Sequence, residues 1–232
     1  MQCQTLHASL AAYMELGRSQ ARLMELRLEE MGDQAIMLRP ARPESGEGLL
    51  FARYIDEAAE GFFGFMLGPD SEGITASAFM EPGHALSYEH VMFAEREGVV
   101  IGMSLAYTGS QHRGFSDEPL KRAAGPSALR MRLLRMLLAP LWRILDTVPE
   151  GDFYLHGIAV EPELRGAGVG SLLMDDVEAR GQAAGSTRLS LDVAAKNQGA
   201  RKLYGRRGMI ESSEWPRSRF LPTVFVRMTK NL

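Results

Sequence analysis

The stretch HGIAVEPELRGAGVGSLLMDD, residues 156–176, places three glycines within five residues between an apolar run and a helix-like run. The glycines are Gly166, Gly168 and Gly170, and Arg165 directly precedes them. Glycines let the backbone approach a bulky anion closely, and the first turn of a helix offers unpaired N–H groups and a positive dipole end. This strand–loop–helix layout is therefore typical of a site that grips a phosphate.

Two common phosphate loops fit the glycine spacing poorly. A P-loop requires lysine and then serine or threonine after its last glycine, whereas Gly170 is followed by Ser171 and Leu172. A dinucleotide-binding loop requires G-x-G-x-x-G, and Ser171 stands at its third glycine position. Asp192 follows the loop at a suitable separation in sequence for a ribose contact. However, only about sixty residues follow the loop, too few for the usual further βαβ units. The dinucleotide loop therefore stays the weaker alternative.

A third pattern, Arg/Gln-x-x-Gly-x-Gly/Ala, matches residues 165–170 at every position. A strand-like run, residues 153–160, precedes this loop, and a second strand and the segment 197–208 follow it. At this point the chain resembles the GNAT superfamily of N-acetyltransferases, most closely over residues 153–209 and more loosely over about 36–229. The matching loop residues are Arg165, Gly166, Ala167, Gly168, Val169 and Gly170.

The resemblance implies an α/β fold with a mixed central sheet, splayed between its fourth and fifth strands and flanked by helices. We expect this domain to span residues 35–232. A helical extension, residues 1–34, precedes it, with an apolar seam at alternating four- and three-residue spacings over residues 8–31. We expect that seam to pack against the domain or, alternatively, to form a homodimer contact.

The resemblance also implies acetyl-CoA as co-substrate. The glycine loop would hold its pyrophosphate, and the backbone of Ile158, Ala159 and Val160 would hold its pantetheine arm. Asn197 matches a residue that commonly contacts this cofactor in the family. Tyr204 matches the family's general acid, placed to protonate the departing thiolate.

A general base would help because a primary amine is mostly protonated near neutral pH. His156 stands where many family members carry an acidic residue, and an unperturbed imidazole titrates near neutrality. Glu89 and Glu95, on a predicted hairpin around Glu97-Gly98, are the other candidates.

The charge distribution suggests a cationic acceptor. Residues 44–97 carry a net charge of -9, whereas residues 120–232 carry +7. The family forms its acceptor site mainly from the early helices and central strands, which here coincide with the acidic segment. The interpretation is an N-acetyltransferase acting on the primary amine of a cationic small molecule or lysine side chain, by direct transfer in a ternary complex. The alternative is a non-catalytic module that senses acyl-CoA.

Composition disfavours several other classes. The net charge of -3 argues against a nucleic-acid binder, and the single cysteine, Cys3, leaves no internal disulfide or cysteine metal cluster. The five histidines show no metal-ligand spacing, so we expect no metal cofactor. The apolar run at residues 133–145 is interrupted by arginines and too short to span a bilayer. We expect a cytoplasmic protein with no membrane partner. The glycine, serine, proline and histidine content of residues 109–126 predicts a loop there.

Overall fold

The structure is a computed structural model that describes residues 35–137, 147–216 and 223–232. The predicted seam at residues 8–31 lies outside these ranges. The strands are β1 (Met37–Pro40), β2 (Val91–Arg96), β3 (Val99–Thr108), β4 (Asp152–Val160), β5 (Arg188–Ala194), β6 (Ile210–Trp215) and β7 (Phe225–Asn231). The helices are α1 (Ser45–Ala58), α2 (Phe62–Leu67), α3 (Ser71–Phe79), α4 (Gly109–Gly114), α5 (Glu118–Ala124), α6 (Ser127–Leu137), α7 (Val169–Ala183) and α8 (Gln198–Arg206).

The seven strands form one mixed sheet in the order β1-β2-β3-β4-β5-β7-β6. Among the described strands, only the central β4–β5 pair is parallel, with α7 as its crossover, while the neighbouring pairs are antiparallel. This arrangement confirms the predicted α/β fold with helices on both faces. None of the described helices is long and apolar enough to cross a membrane.

The predicted splay is present at the centre of the sheet. Strands β4 and β5 pair only from Asp152↔Arg188 to Leu155↔Leu191, although β4 continues to Val160 and β5 to Ala194. Beyond Leu155, β4 follows β3 and β5 follows β7, so the sheet divides into two diverging halves.

A β-bulge marks the point of divergence. Leu105 pairs with Gly157 and Ala106 pairs with Leu155, which leaves His156 as the extra residue of β4. A bulge bends its strand and increases the local twist. The bend brings β4 so close to α1 that a Cβ on Gly157 would lie 2.6 Å from Cδ1 of Ile55.

Two apolar clusters cover the two faces of the sheet. Helix α1 packs on one face through Phe51, Tyr54 and Ile55. Helices α7 and α8 pack on the other face, where Met174, Val177 and Tyr204 belong to one cluster. This second cluster also includes side chains from β4, β5 and β7, so it holds the two diverging halves of the sheet together. The buried positions of α7 recur at helical spacing, as its sequence pattern predicts.

The expected loop at residues 109–126 is wrong, because the segment forms α4 and α5. Thr108 and Gln111 form a reciprocal capping box that starts α4 directly after β3. Pro119 lies in the first turn of α5, where its missing N–H is tolerated. The glycine, serine and proline content of the segment thus reflects helix ends.

Gly48 provides a test of the close packing between α1 and α3. A Cβ on Gly48 would lie 2.8 Å from the carbonyl oxygen of Ala76, a backbone atom that cannot move aside as a side chain would. We expect Gly48→Ala to lower the free energy of unfolding by about 1–3 kcal/mol in urea denaturation. The control Gly46→Ala lies on the same helix with no atom within 4 Å of the new Cβ. It should be neutral or slightly stabilising, and equal effects of both changes would contradict this packing.

Candidate active site

The glycine loop presents a row of unpaired backbone donors. Gly166 and Gly168 adopt left-handed φ angles of 85° and 91°, and Gly168 is the N-cap of α7. The first hydrogen bond of α7 runs from Leu172 N to Gly168 O, at 3.0 Å. Five N–H groups before it have no acceptor among the described residues: those of Gly166, Gly168, Val169, Gly170 and Ser171. Such a backbone nest at a helix N-terminus is an anion-binding site.

The space around this nest is open. A Cβ on Gly166 or Gly168 would meet no heavy atom within 4 Å, and one on Gly170 would meet only Cγ2 of Val160, at 3.8 Å. Because no described atom lies close to these added Cβ positions, a phosphate-bearing group can approach the backbone directly. The residues present therefore fit the pyrophosphate that the sequence resemblance implies.

Arg165 is engaged within the protein. Its guanidinium forms an ion pair with Glu57, near the C-terminal end of α1. A phosphate that recruits Arg165 has to compete with this carboxylate, so the loop amides are the unengaged part of the anion site.

The splay adds a second set of backbone donors. Glu161 N–H donates to Ile101 O on β3, at 3.0 Å. Since N–H groups alternate in direction along a strand, the N–H of Ala159 also faces β3. Those of Ile158 and Val160 then face the cleft between β4 and β5, where no strand pairs with them. Two of the three residues predicted to hold pantetheine thus direct backbone donors into the cleft, and Ala159 does not.

Tyr204 lies in the apolar cluster on the α7–α8 face, with its ring buried. Its hydroxyl has no hydrogen-bond partner among the described residues and is not enclosed, so it reaches accessible space. Burial raises the pKa of Tyr204 to about 12, so the side chain carries its proton at neutral pH. Leu155 and Val193, on either side of the splay, belong to the same cluster.

Asn197 has a structural role that its motif position did not reveal. It is the N-cap of α8, and its side-chain oxygen accepts from Ala200 N at 3.0 Å. Its amide nitrogen lies 3.4 Å from Oε1 of Glu60. The capping bond fixes the start of the helix that carries Tyr204. Gly208, with φ 83°, follows the C-cap of that helix.

His156, the bulged residue, lies on the opposite face of the sheet from Tyr204. Its Nδ1 lies 2.9 Å from the hydroxyl of Tyr107, on β3. Its Nε2 has no hydrogen-bond partner among the described residues and remains accessible. Burial, with a smaller contribution from His112 and a partial opposition from Asp192, lowers the pKa of His156 to about 4. The imidazole is therefore neutral at pH 7.

A buried polar triad closes the base of the cleft beside His156. The carboxylate of Asp192 accepts from Nε and Nη2 of Arg227, at 2.9 and 2.6 Å, and from the hydroxyl of Tyr154, at 3.0 Å. These residues belong to β5, β7 and β4, so the triad ties both halves of the sheet together where pairing ends. Sequence reasoning missed this role of Asp192. Its spacing had suggested only a ribose contact.

The two glutamates that are the alternative base candidates both have local partners in the structure. Glu95 lies on β2, opposite Met37 of the edge strand β1, and pairs with Arg39, 2.5 Å away. Glu89 accepts from Gly83 N, at 2.9 Å, and from the hydroxyl of Ser87, at 3.2 Å. Both carboxylates are therefore engaged in local structure, unlike Nε2 of His156.

Helix α1 bridges both sides of the cleft mouth. Arg53 pairs with the buried carboxylate of Glu161, at the end of β4, and Glu57 pairs with Arg165 in the glycine loop. Glu60, just after the helix, lies 2.8 Å from Nζ of Lys196, before α8. One helix thus fixes the loop on the β4 side relative to the segment on the β5 side.

The chain matches the family model described as "Acetyltransferase (GNAT) family" over residues 66–209, more than half of its length. This range contains the hairpin, the glycine loop and α8. No curated protein matches the chain.

Solved structures share the fold. A crystal structure of an acetyltransferase is 23% identical with a TM-score of 0.58, and the match covers 84% of this chain and 98% of that chain. An N-acetyltransferase from Staphylococcus aureus Mu50 is 17% identical, with coverages of 84% and 100% and a TM-score of 0.58. An agmatine N-acetyltransferase is 20% identical, with coverages of 85% and 100% and a TM-score of 0.51.

The pKa of His156 predicts how acid affects stability. The unfolded imidazole takes up a proton below about pH 6.5, whereas the folded one stays neutral down to about pH 4. Its contribution to stability is therefore complete above pH 6.5 and is lost as the pH falls towards 4. When the pH falls from 7 to 5, the free energy of unfolding should decrease in both proteins. We expect the decrease to be about 1–2 kcal/mol smaller in His156→Gln than in the unmutated protein.

Urea denaturation at the two pH values measures this difference. Burial also lowers the pKa of His84 and of His90, so the variant should keep part of the pH dependence. An identical loss in both proteins would show that His156 titrates normally in the folded state.

Proposed function

This chain belongs to the acetyltransferase (GNAT) family, and on that premise we propose that it moves an acetyl group from acetyl-CoA to a primary amine by direct transfer in a ternary complex. The family uses acetyl-CoA as co-substrate, and the chain is an acyltransferase. The observation that carries the proposal is the set of unpaired N–H groups of Gly166 and residues 168–171, which follow in sequence a strand that ends beside a splayed cleft.

The donor site uses backbone groups in three places. The amides of the glycine loop bind the pyrophosphate, with the N-terminal dipole of α7 adding to the attraction. The N–H groups of Ile158 and Val160 bind the pantetheine arm in place of the missing β5 partner. One of them also stabilises the oxygen of the tetrahedral intermediate, because a preorganised donor is strongest where charge develops.

Proton transfers complete the reaction. The lone pair of the acceptor amine attacks the thioester carbonyl, and Nε2 of His156 takes one proton from the nitrogen. When the C–S bond breaks, the hydroxyl of Tyr204 donates its proton to the thiolate. The two groups lie on opposite faces of the sheet, which supports entry of the amine from one face and departure of the thiol on the other.

Direct transfer is supported by the composition of the chain. A covalent acyl-enzyme route needs a nucleophile such as a thiolate, and the single cysteine, Cys3, lies far in sequence from the loop. Among the described residues no group of three or more side chains could hold a metal ion. We place the protein in a reducing, cytoplasmic compartment, as its cysteine content suggests.

The more specific part of the proposal is that the acceptor amine belongs to a cationic molecule. Five basic side chains from outside the acidic segment form ion pairs with it: Arg39, Arg42, Arg122, Arg165 and Lys196. These five positive charges offset just over half of its net charge of -9, so the segment stays acidic after pairing. The structural likeness to an agmatine N-acetyltransferase points to the same class, since agmatine is a cationic amine.

The variant Tyr204→Phe distinguishes a catalytic acetyltransferase from a module that only senses acyl-CoA. The change removes the acidic proton and keeps the buried ring, so acetyl-CoA binding should be unchanged while kcat falls by about 10²-fold or more. Isothermal calorimetry measures the binding, and release of free thiol measures turnover. The control Tyr88→Phe removes a hydroxyl from the cluster on the α1 face and should leave kcat unchanged. Full turnover by Tyr204→Phe would show that the acid is a different group.

An acceptor panel tests the substrate class. The thiol-release assay is run with polyamines, agmatine, aminoglycosides, lysine peptides and, as controls, neutral and anionic amines of similar size. We expect the highest kcat/KM with a dicationic amine and a decrease at higher salt, because screening weakens attraction to the acidic segment. Preference for a neutral or anionic amine would overturn the cationic assignment and leave the acetyltransferase assignment intact.

A further inference from the structure

We propose that Tyr107 is a positioning residue for the base: its hydroxyl accepts the Nδ1–H of His156 and thereby holds the tautomer whose Nε2 lone pair is open to the acceptor amine. The inference rests on the proposed function, in which His156 takes the proton. Tyr107 belongs to β3 and had no place in the sequence motif.

The geometry gives the hydroxyl its role. Tyr107 is 2% exposed, and its oxygen lies 2.9 Å from Nδ1 of His156. Nδ1 is thus held by a side chain, whereas Nε2 has no hydrogen-bond partner among the described residues and is not enclosed. A neutral imidazole has one N–H and one lone pair, so a proton on Nε2 would turn the lone pair inward, towards Tyr107. Only the tautomer with the proton on Nδ1 leaves a lone pair that an amine can reach.

The protonated state requires the same partner. After Nε2 takes the proton, both ring nitrogens are donors, and the hydroxyl oxygen of Tyr107 is the acceptor within reach of Nδ1. A hydrogen bond to the charged form favours that form, so Tyr107 stabilises the imidazolium as it develops. It thereby partly opposes the burial that disfavours protonation.

His84 shows how a structural histidine differs. Its Nε2 lies 2.8 Å from Ala78 O, and its Nδ1 accepts from Leu86 N at 3.3 Å. Both nitrogens therefore serve the backbone, and no lone pair remains for a substrate. His156 instead has one nitrogen held by a side chain and one left open.

The other charged or titratable groups around His156 come from three elements. Tyr154, on β4, packs its ring 6.0 Å from the imidazole, and Asp192, on β5, lies near enough to favour protonation. His112, on α4, opposes protonation and stacks on Tyr107, with ring centroids 5.7 Å apart. The positioning effect of Tyr107 must therefore be measured with these groups in place.

The first measurement uses Tyr107→Phe, His156→Gln and the double variant. We expect Tyr107→Phe to lower kcat about 10- to 100-fold with little change in KM for acetyl-CoA, as loss of a hydrogen bond to a charged group predicts. In the His156→Gln background, the same change should have no further effect on kcat. The acidic limb of the kcat/KM profile should also move to lower pH in Tyr107→Phe, because the imidazolium loses its acceptor.

An equal loss in both backgrounds would overturn the inference, since Tyr107 would then act independently of His156, and so would an unchanged kcat in Tyr107→Phe. These outcomes differ from failure of the proposed function. Unchanged kcat in His156→Gln would remove the base assignment itself, and no thiol release with any acceptor would remove the activity.

The second measurement needs no variant and so does not depend on the folding of Tyr107→Phe. Nitrogen-15 NMR of histidine-labelled protein at pH 7 distinguishes the two tautomers of His156, with the resonance assigned by comparison with His156→Gln. We expect Nδ1 to carry the proton and Nε2 to be unprotonated. A proton on Nε2 would contradict the proposed role of Tyr107.

Discussion

The end of the β4–β5 ladder after Leu155 and Leu191 is the constraint on which the site depends. Pairing to that point fixes the position of the two strands, and separation beyond it leaves backbone donors of β4 without a strand partner. The bulge at His156 and the close contact of Gly157 with Ile55 bend β4 towards β3 and α1. The same bulge places His156 at the base of the opening, so one backbone irregularity creates the cleft and positions the candidate base.

The two diverging halves need contacts that keep the cleft at a fixed width. On one face, the cluster that includes Leu155, Val193 and Tyr204 joins β4, β5 and α8. On the other face, Asp192 joins Tyr154 to Arg227. A buried carboxylate is costly unless it is paired and hydrogen-bonded, and here it accepts from a guanidinium and a hydroxyl. The ion pairs of α1 across the mouth add a third connection, through which movement of α1 would reach the glycine loop.

The elements that carry the candidate donor site could be predicted from sequence because their signals are local. The positions of Arg165, Gly168 and Tyr204 follow from loop and helix spacing within about fifty residues, and the structure places the loop at the start of a helix as expected. Tyr107 and Asp192 meet their partners only through strand register, which sequence spacing does not encode. The helices in residues 109–124 were missed because the glycine, serine and proline content favoured a loop, and the capping box of Thr108 and Gln111 was not recognised. Asn197 illustrates a further difficulty, since a motif residue can serve the helix end as well as a ligand.

The central claim is that acetyl-CoA binds in the splay, along the unpaired amides of β4 and the glycine loop. Residue-resolved hydrogen–deuterium exchange, measured by NMR with and without saturating acetyl-CoA, tests this claim directly. We predict slower exchange at the amides of Ile158 and Val160 and at residues 168–171, with no change at Glu161, which already donates to β3. Tight binding of acetyl-CoA with unchanged exchange at Ile158, Val160 and the loop would contradict the account.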